Sequence, residues 1–410
     1  MSLKALFVSC LSLVSLAAAR PVDSRIIKEL RRSLDQPQGQ TVGRDPVVPL
    51  DRRDDIKRYD QLQATITISE KETPLMDSGG YPRLAQLSDG TILAAAFRGT
   101  GEEGETALDV TKSTDGGKSF NSWGEITKST NDIGNTFLLE IPNGEVLAAI
   151  RNHTKVDGNY TDYRITLYKS CNGGKDWNFV TDVVELKADP DKLNGVWEPA
   201  MRILGRDKIE LTYSGELAKD NQETFLTTSD DGGRTWAPPR NLHLHGDDEK
   251  WRDGMQNIVP VRDASRGDAV IIVLESLQDG HFKIDYVVSY DNGATWGHRG
   301  TAYEPRQGFN AGSPQIANIG DDIAIIFGTD EDQEVSPAEW TDGSSIKMVF
   351  SKGLDNGTMS WTEDAMTLSK ATAKWPYVLQ TEQDAVMAVY GRDNKPWAKT
   401  VRRSTKPYYI

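Results

Sequence analysis

Cysteine and histidine are scarce in this chain, and each scarcity removes a class of chemistry. Its 410 residues include two cysteines, Cys10 and Cys171, and five histidines. Cys10 lies in an apolar N-terminal stretch that reads as a removable leader. The mature chain is therefore expected to keep one thiol, to form no internal disulfide and to rely on packing and closure for stability. His243-Leu-His245 is the sole close histidine pair. Alternate residues of a strand share a face, but no cysteine or carboxylate completes a metal site at diagnostic spacing, so neither metal nor cofactor is expected. Gly99-Thr100-Gly101-Glu-Glu-Gly104 lacks the lysine and following helical pattern of a phosphate loop and reads as a surface turn. No apolar run is long enough to span a bilayer permanently, and no coiled-coil period appears. Positive charge is outweighed, with 47 Lys and Arg against 61 Asp and Glu and a net charge of −14. That balance disfavours nucleic acid and anionic membranes as partners, mildly disfavours an anionic substrate, and suits a monomer kept apart from its copies by charge.

Residues 1–19 combine Lys4, an apolar run from Ala5 to Leu16 and the small residues Ala17-Ala18-Ala19, the pattern of a signal peptide. Residues 20–60 are polar and carry the dibasic pairs Arg31-Arg32 and Arg52-Arg53, which reads as a pro-segment. Sequons at Asn152, Asn159 and Asn356 fit glycosylation during export. A secreted, extracellular protein is expected, with residues 61–410 as its folded domain.

The strongest signal is a repeat. Ser113-Thr-Asp115-Gly-Gly117-Lys-Ser-Phe120, Ser170-Cys-Asn172-Gly-Gly174-Lys-Asp-Trp177, Ser229-Asp-Asp231-Gly-Gly233-Arg-Thr-Trp236 and Ser289-Tyr-Asp291-Asn-Gly293-Ala-Thr-Trp296 share one pattern, with serines 57, 59 and 60 residues apart. A degraded fifth copy, Ser351 to Trp361, follows. The Asp or Asn side chain can accept N–H groups of its own turn, the glycine supplies positive φ, and the aromatic ring packs the returning strand. The motif is thus a fold staple. Before each copy lies a strand, turn and strand, beginning with Tyr81-Pro-Arg-Leu, Asn135-Thr-Phe-Leu, Trp197-Glu-Pro-Ala, Asp253 and Asn310 in turn; a sixth hairpin runs from Trp375 to Tyr390. Six such units predict an all-β, six-bladed β-propeller whose last blade is completed by Ala64-Thr-Ile-Thr-Ile68.

In that topology the repeated turns sit on the lower face. The upper axial opening is lined by the starts of first strands and the ends of second strands. These positions are Tyr81 and Arg83 with Arg98, Asn135 with Arg151, Trp197 and Glu198 with Tyr213, Arg252 and Asp253 with Glu275, Asn310 and Ser313 with Asp330, and Trp375 with Tyr390. Glu198 stands between Trp197 and Pro199, and Glu275 ends the apolar run Val270 to Leu274, where an isolated acid is costly to desolvate. Two facing carboxyls at unequal pKa are the requirement for glycosidic cleavage. The competing reading makes Glu275 a strand cap paired with Arg252 or Arg262.

The repeats and Tyr81-Pro-Arg-Leu resemble the sialidase superfamily. Tyr81-Pro-Arg83, Trp197-Glu198-Pro199, Arg252-Asp253-Gly254-Met255, Leu274-Glu275-Ser276, Asn310-Ala-Gly-Ser-Pro-Gln315, Thr329-Asp-Glu-Asp332 and Trp375-Pro376 resemble, more selectively, the fungal family 93 glycoside hydrolases, the exo-α-1,5-L-arabinanases. The likeness runs from about residue 74 to residue 402. It implies cleavage of arabinan from a chain end, release of arabinobiose with retention, and catalytic roles for Glu198 and Glu275, with Glu275 as nucleophile and Glu198 as acid/base by analogy with sialidases. Asp253 would tune a glutamate or simply pair with Arg252. Trp197, Trp375, Tyr81 and Tyr390 would offer furanose platforms or belong to the core. Arg83 would bind sugar hydroxyls or brace the first blade. A sialidase would need three arginines to clamp a carboxylate; Arg83 and Arg252 supply two, and the fifth blade offers Asn310-Ala-Gly-Ser-Pro instead. A non-catalytic glycan-binding propeller is the remaining alternative. Glu331 to Gly343, with Pro337-Ala-Glu-Trp340, reads as a rim loop that shapes the subsites.

Overall fold

A computed structural model describes residues 56–189, 194–246 and 248–406. The expected signal peptide and all but the end of the expected pro-segment lie outside the described residues. Of that segment the structure describes residues 56–60, where Ile56–Tyr59 pairs antiparallel with Ala64–Ile68 and Tyr59 is buried. The expectation of a lone thiol in the mature chain turns on Cys10, which lies outside the described residues.

Among the described residues the fold is strand and turn, apart from a short 3-10 turn at Trp340–Gly343. Gly80–Gln86, Ile92–Gly99, Thr106–Ser113 and Asn121–Ser129 form one antiparallel sheet in chain order, and Asp132–Glu140, Val146–Val156, Asn159–Ser170 and Asn178–Lys187 form the next. Sets opening with Val196–Ile203, Arg252–Asp263 and Ala311–Ile319 repeat the pattern, linked edge to edge by the bridges Gln222 to Arg252 and Asp263 to Leu354. The last set, Ala373–Glu382, Ala385–Arg392 and Lys395–Ser404, takes its next strand from Ala64–Ile68, as the sequence led us to expect. Each opening strand packs on the opening strand of the following set, and Ala373–Glu382 packs back on Gly80–Gln86. The arrangement is propeller-like.

The second strands, such as Leu93 to Ala96, Leu147 to Ile150 and Ile271 to Leu274, are covered on both faces and buried throughout. This is why they read as unbroken apolar runs rather than alternating ones. At about 1.5–3 kcal/mol for each fully buried Val, Leu or Ile, these strands anchor the sets to one another. The repeated turns behave as staples. The motif serine Oγ accepts the N–H of Gly117, Gly174, Gly233 or Gly293 at 2.8–2.9 Å. The Asp or Asn Oδ1 accepts a second N–H at 2.8–3.0 Å, and the four glycines hold φ between 82° and 93°.

One feature of the opening strands positions the site. All six carry a register shift at the same place, between Gly80 and Arg83, Gly134 and Phe137, Trp197 and Ala200, Gly254 and Asn257, Gly312 and Gln315, and Lys374 and Tyr377. Within each bulge one non-glycine residue has positive φ: Tyr81, Asn135, Glu198, Met255, Ser313 and Trp375, between 46° and 57°. Left-handed backbone at such residues costs on the order of 1–3 kcal/mol apiece and persists where the surroundings over-determine it. Side chains from these bulges meet, Tyr81 lying against both Met255 and Trp375.

Candidate active site

Glu198 and Glu275 meet there. A Cβ built on Gly254 would stand 3.4 Å from Glu198 Oε2 and 3.6 Å from Glu275 Oε1, so the two oxygens are no farther apart than those distances together. Glu198 Oε2 accepts the Met255 N–H at 2.8 Å and lies 2.8 Å from the Ser214 hydroxyl, which also lies 2.7 Å from Gln256 Oε1. Gln256 in turn donates from its amide to the Glu198 carbonyl at 2.7 Å. Glu275 Oε2 accepts the Ser313 N–H at 2.6 Å. Two of the bulge residues thus donate their backbone N–H groups to the acids.

Burial pushes the Glu198 carboxyl above its ordinary range, with the Met255 and Ser214 donors and the charges of Arg151 and Arg83 acting against it. Burial, then the charge of Glu198, pushes Glu275 up to about 8, and the Ser313 N–H only partly offsets this. Like charges this close do not ionise together, so near neutral pH the pair holds one proton. That charge state carries a stability consequence. A carboxyl raised in the fold keeps a proton that the unfolded chain gives up, so its contribution is complete at low pH and is lost as pH rises from about 4.5 through about 8. Glu275→Gln, neutral throughout, is expected to melt with wild type near pH 4.5 and a few degrees above it near pH 8. Thermal melts across that range check this, and a difference independent of pH would remove the shared proton.

Around the pair, Tyr81 is buried, with its hydroxyl 3.7 Å from Met255 Sδ, the Arg83 guanidinium 3.8 Å from its ring centre and the Trp375 ring 5.9 Å away. Arg83 is buried and donates to the Pro82 and Pro376 carbonyls, bracing the seam between first and last sets while its charge reaches Glu198. Arg151 donates to Asn135 Oδ1 at 2.9 Å and to Asp132 at 2.6 Å, and sits 5.3 Å from the Trp197 ring centre. Trp197 also packs edge-on against His153, with Tyr160 and Tyr163 beyond. Arg252 donates to Glu216 and Gln222 at 2.8 and 2.9 Å and its charge lowers Glu275, which favours pairing elsewhere over a salt bridge to that glutamate. Asn310 is tied to Asp330 and Ser336 and accepts the Phe282 N–H.

Three expectations need correction. Tyr213 is 4% exposed and stacks on Phe225 at 5.4 Å within the core, while the next residue, Ser214, faces the acids. Tyr390 is fully buried, its hydroxyl donating to Glu72. In both strands the reading took the strand end without its face, and one residue along a strand reverses direction. Asp253 does not pair with Arg252. It is fully buried, receiving two N–H bonds from Arg299 at 2.7 and 3.0 Å, the Ser276 hydroxyl at 2.7 Å and His245 Nδ1 at 3.0 Å. Burial would raise the Asp253 carboxyl, but Arg299 and His245 hold it below its usual range; burial would lower His245, but Asp253 and Glu223 raise it. This network sits directly behind Gly254-Met255 and Glu275-Ser276. Sequence reading missed Ser214, Gln222, Gln256, His245 and Arg299. For Ser214 and Gln256 the available signal was a polar residue inside an otherwise buried strand.

No protein-family model and no curated relative matches the chain. Solved structures do. An α-L-arabinofuranosidase of Fusarium graminearum, in complex with arabinobiose, is 22% identical, covers 79% of this chain and 93% of its own, and superposes with a TM-score of 0.60. An α-L-arabinanase of Penicillium chrysogenum, also complexed with arabinobiose, is 18% identical over 82% of this chain and 98% of its own, with a TM-score of 0.57. A sialidase of Streptococcus pneumoniae is 10% identical, over 80% of this chain and 68% of its own, at a TM-score of 0.51. The chain therefore shares its fold with this arabinofuranosidase, this arabinanase and this sialidase.

Proposed function

We propose that this protein is a secreted member of family 93 of the glycoside hydrolases, a six-bladed propeller that cleaves α-1,5-linked L-arabinan from a chain end and releases arabinobiose with retention. The observation that carries the reading is the half-buried pair Glu198 and Glu275, whose carboxyl oxygens converge on Gly254. The ring of contacts from Gly80–Gln86 to Ala373–Glu382 supports six blades, and the arabinobiose complexes of the structural neighbours support the sugar.

In the proposed reaction one carboxylate attacks the anomeric carbon while the other acid protonates the departing oxygen. Water then attacks the resulting glycosyl-enzyme, its proton passing to the group that first acted as acid. We assign Glu275 as nucleophile and Glu198 as acid/base. Glu275, pushed up to about 8 in the empty site, must be ionised to attack, so reaction requires its proton to leave when substrate binds. Azide rescue tests the assignment: Glu275→Ala should yield an arabinobiosyl azide of inverted configuration and Glu198→Ala one of retained configuration. The opposite pattern exchanges the roles.

A sialidase reading would need guanidinium groups free to clamp a carboxylate. Arg83, Arg151, Arg252 and Arg306 are each engaged with carbonyls, amides or carboxylates, which suits a neutral sugar. Incubation with linear arabinan and with a sialoside, followed by sizing of products, separates the two. Arabinobiose as the product is expected. Release of free sialic acid would overturn the proposal.

A further inference from the structure

Beside Glu275 stands a side chain that no step above uses. A Cβ on Gly312 would come within 2.5 Å of Glu275 Oε2 and within 2.8 and 2.9 Å of two atoms of the Trp340 indole. The carboxyl and the indole edge therefore converge on one point, and only glycine at 312 leaves room for both. Trp340 is half-buried, and the Phe282 ring lies 6.2 Å away at 40°. Phe282 is itself half-buried on the strand paired with that of Glu275.

The loop carrying Trp340 is held at both ends and across its middle. Lys347 donates to Glu331 and Asp332 at 2.9 and 2.7 Å, and Arg306 donates to the carbonyls of Glu331 and Gln333 at 2.9 and 3.0 Å. The Gln333 amide donates to the Gly343 carbonyl at 3.0 Å, and Asp342 pairs with Lys374, next to Trp375. A half-exposed tryptophan on a loop this firmly tied is not needed for the core, which closes beneath it around Ile284, Ala311 and Phe327. Its position suits a flat apolar surface offered to a ligand at low ordering cost.

We propose that Trp340, backed by Phe282, is the aromatic wall of the sugar subsite beside Glu275 and determines how tightly arabinan fragments are held there. This inference rests on the hydrolase reading above. The carbon-bound hydrogens of a furanose pack on the indole, and the tied loop closes that side of the site against a chain running past it.

Steady-state kinetics of Trp340→Ala on arabinotriose test it. KM is expected to rise about tenfold, kcat to stay within about threefold, and Trp340→Phe to recover most of the loss. Phe282→Leu, which leaves the loop ties intact, should raise KM by a smaller factor in the same direction. An active wild type with unmoved KM in Trp340→Ala, or a lowered melting temperature as its sole effect, overturns the wall and leaves the hydrolase standing. A wild type that cleaves no arabinan overturns both.

Discussion

Glu198→Gln and Glu275→Gln are each expected to lower kcat on arabinan by about 10²- to 10⁴-fold, the range typical of positioned acid and base groups, while binding of arabinobiose persists. Glutamine keeps the volume of the side chain and, at Glu275, an oxygen for the Ser313 N–H 2.6 Å away. The loss therefore reports chemistry rather than collapse. The double variant should be scarcely worse than either single one, since each step needs both groups and residues acting as a unit are strongly non-additive. Single-turnover rates with calorimetric binding make the measurement. One glutamate replaceable without loss, with glycan binding intact, would return the protein to the class of non-catalytic binding propellers.

How much of this was legible depends on which physical rule writes the signal. Turns and buried second strands are local, and both could be read. The staple turns obey side-chain hydrogen bonding within eight residues, and runs such as Val270 to Leu274 declare strands covered on both faces. The closing strand Ala64–Ile68 could be inferred because one unit lacked a partner. The convergence of Glu198 and Glu275 followed from topology, since strand ends of neighbouring units share a rim. Side-chain direction did not follow, because each opening strand contains a bulge and a bulge reverses parity. Tyr213 and Tyr390, on second strands, were misplaced because the strand end was taken without its face, with Ser214 taking the place expected of Tyr213. A second repeat was present and would have helped. Gly80-Tyr81-Pro82, Trp197-Glu198-Pro199, Gly312-Ser313-Pro314 and Lys374-Trp375-Pro376 all place the left-handed residue before proline, and Gly134-Asn135 and Gly254-Met255 keep the leading glycine. The His245 and Arg299 partners of Asp253 had no sequence signal. They come from a connection and an outer strand whose approach depends on the packed fold.

Arg299→Met is expected to destabilise the fold by about 3–5 kcal/mol, the cost of stripping a buried charge of its partner. Asp253 is wholly shielded from solvent, and Arg299 supplies two of its hydrogen bonds while also pairing with Asp285 at 2.9 Å. Without the guanidinium, Asp253 and Asp285 are left close together, and His245 alone cannot neutralise both and Glu223 as well. Because Asp253 precedes Gly254-Met255 and holds Ser276 next to Glu275, the damage should reach both acids, lowering kcat at temperatures where the variant is still folded. Adding Asp253→Asn removes the stranded charge, so the double variant is expected to regain part of the stability, a coupling that urea denaturation of the four members of the cycle measures directly. Additive losses would mean that Asp253 and Arg299 stabilise the fold independently, and the acids would then owe their placement to the glycine bulges alone.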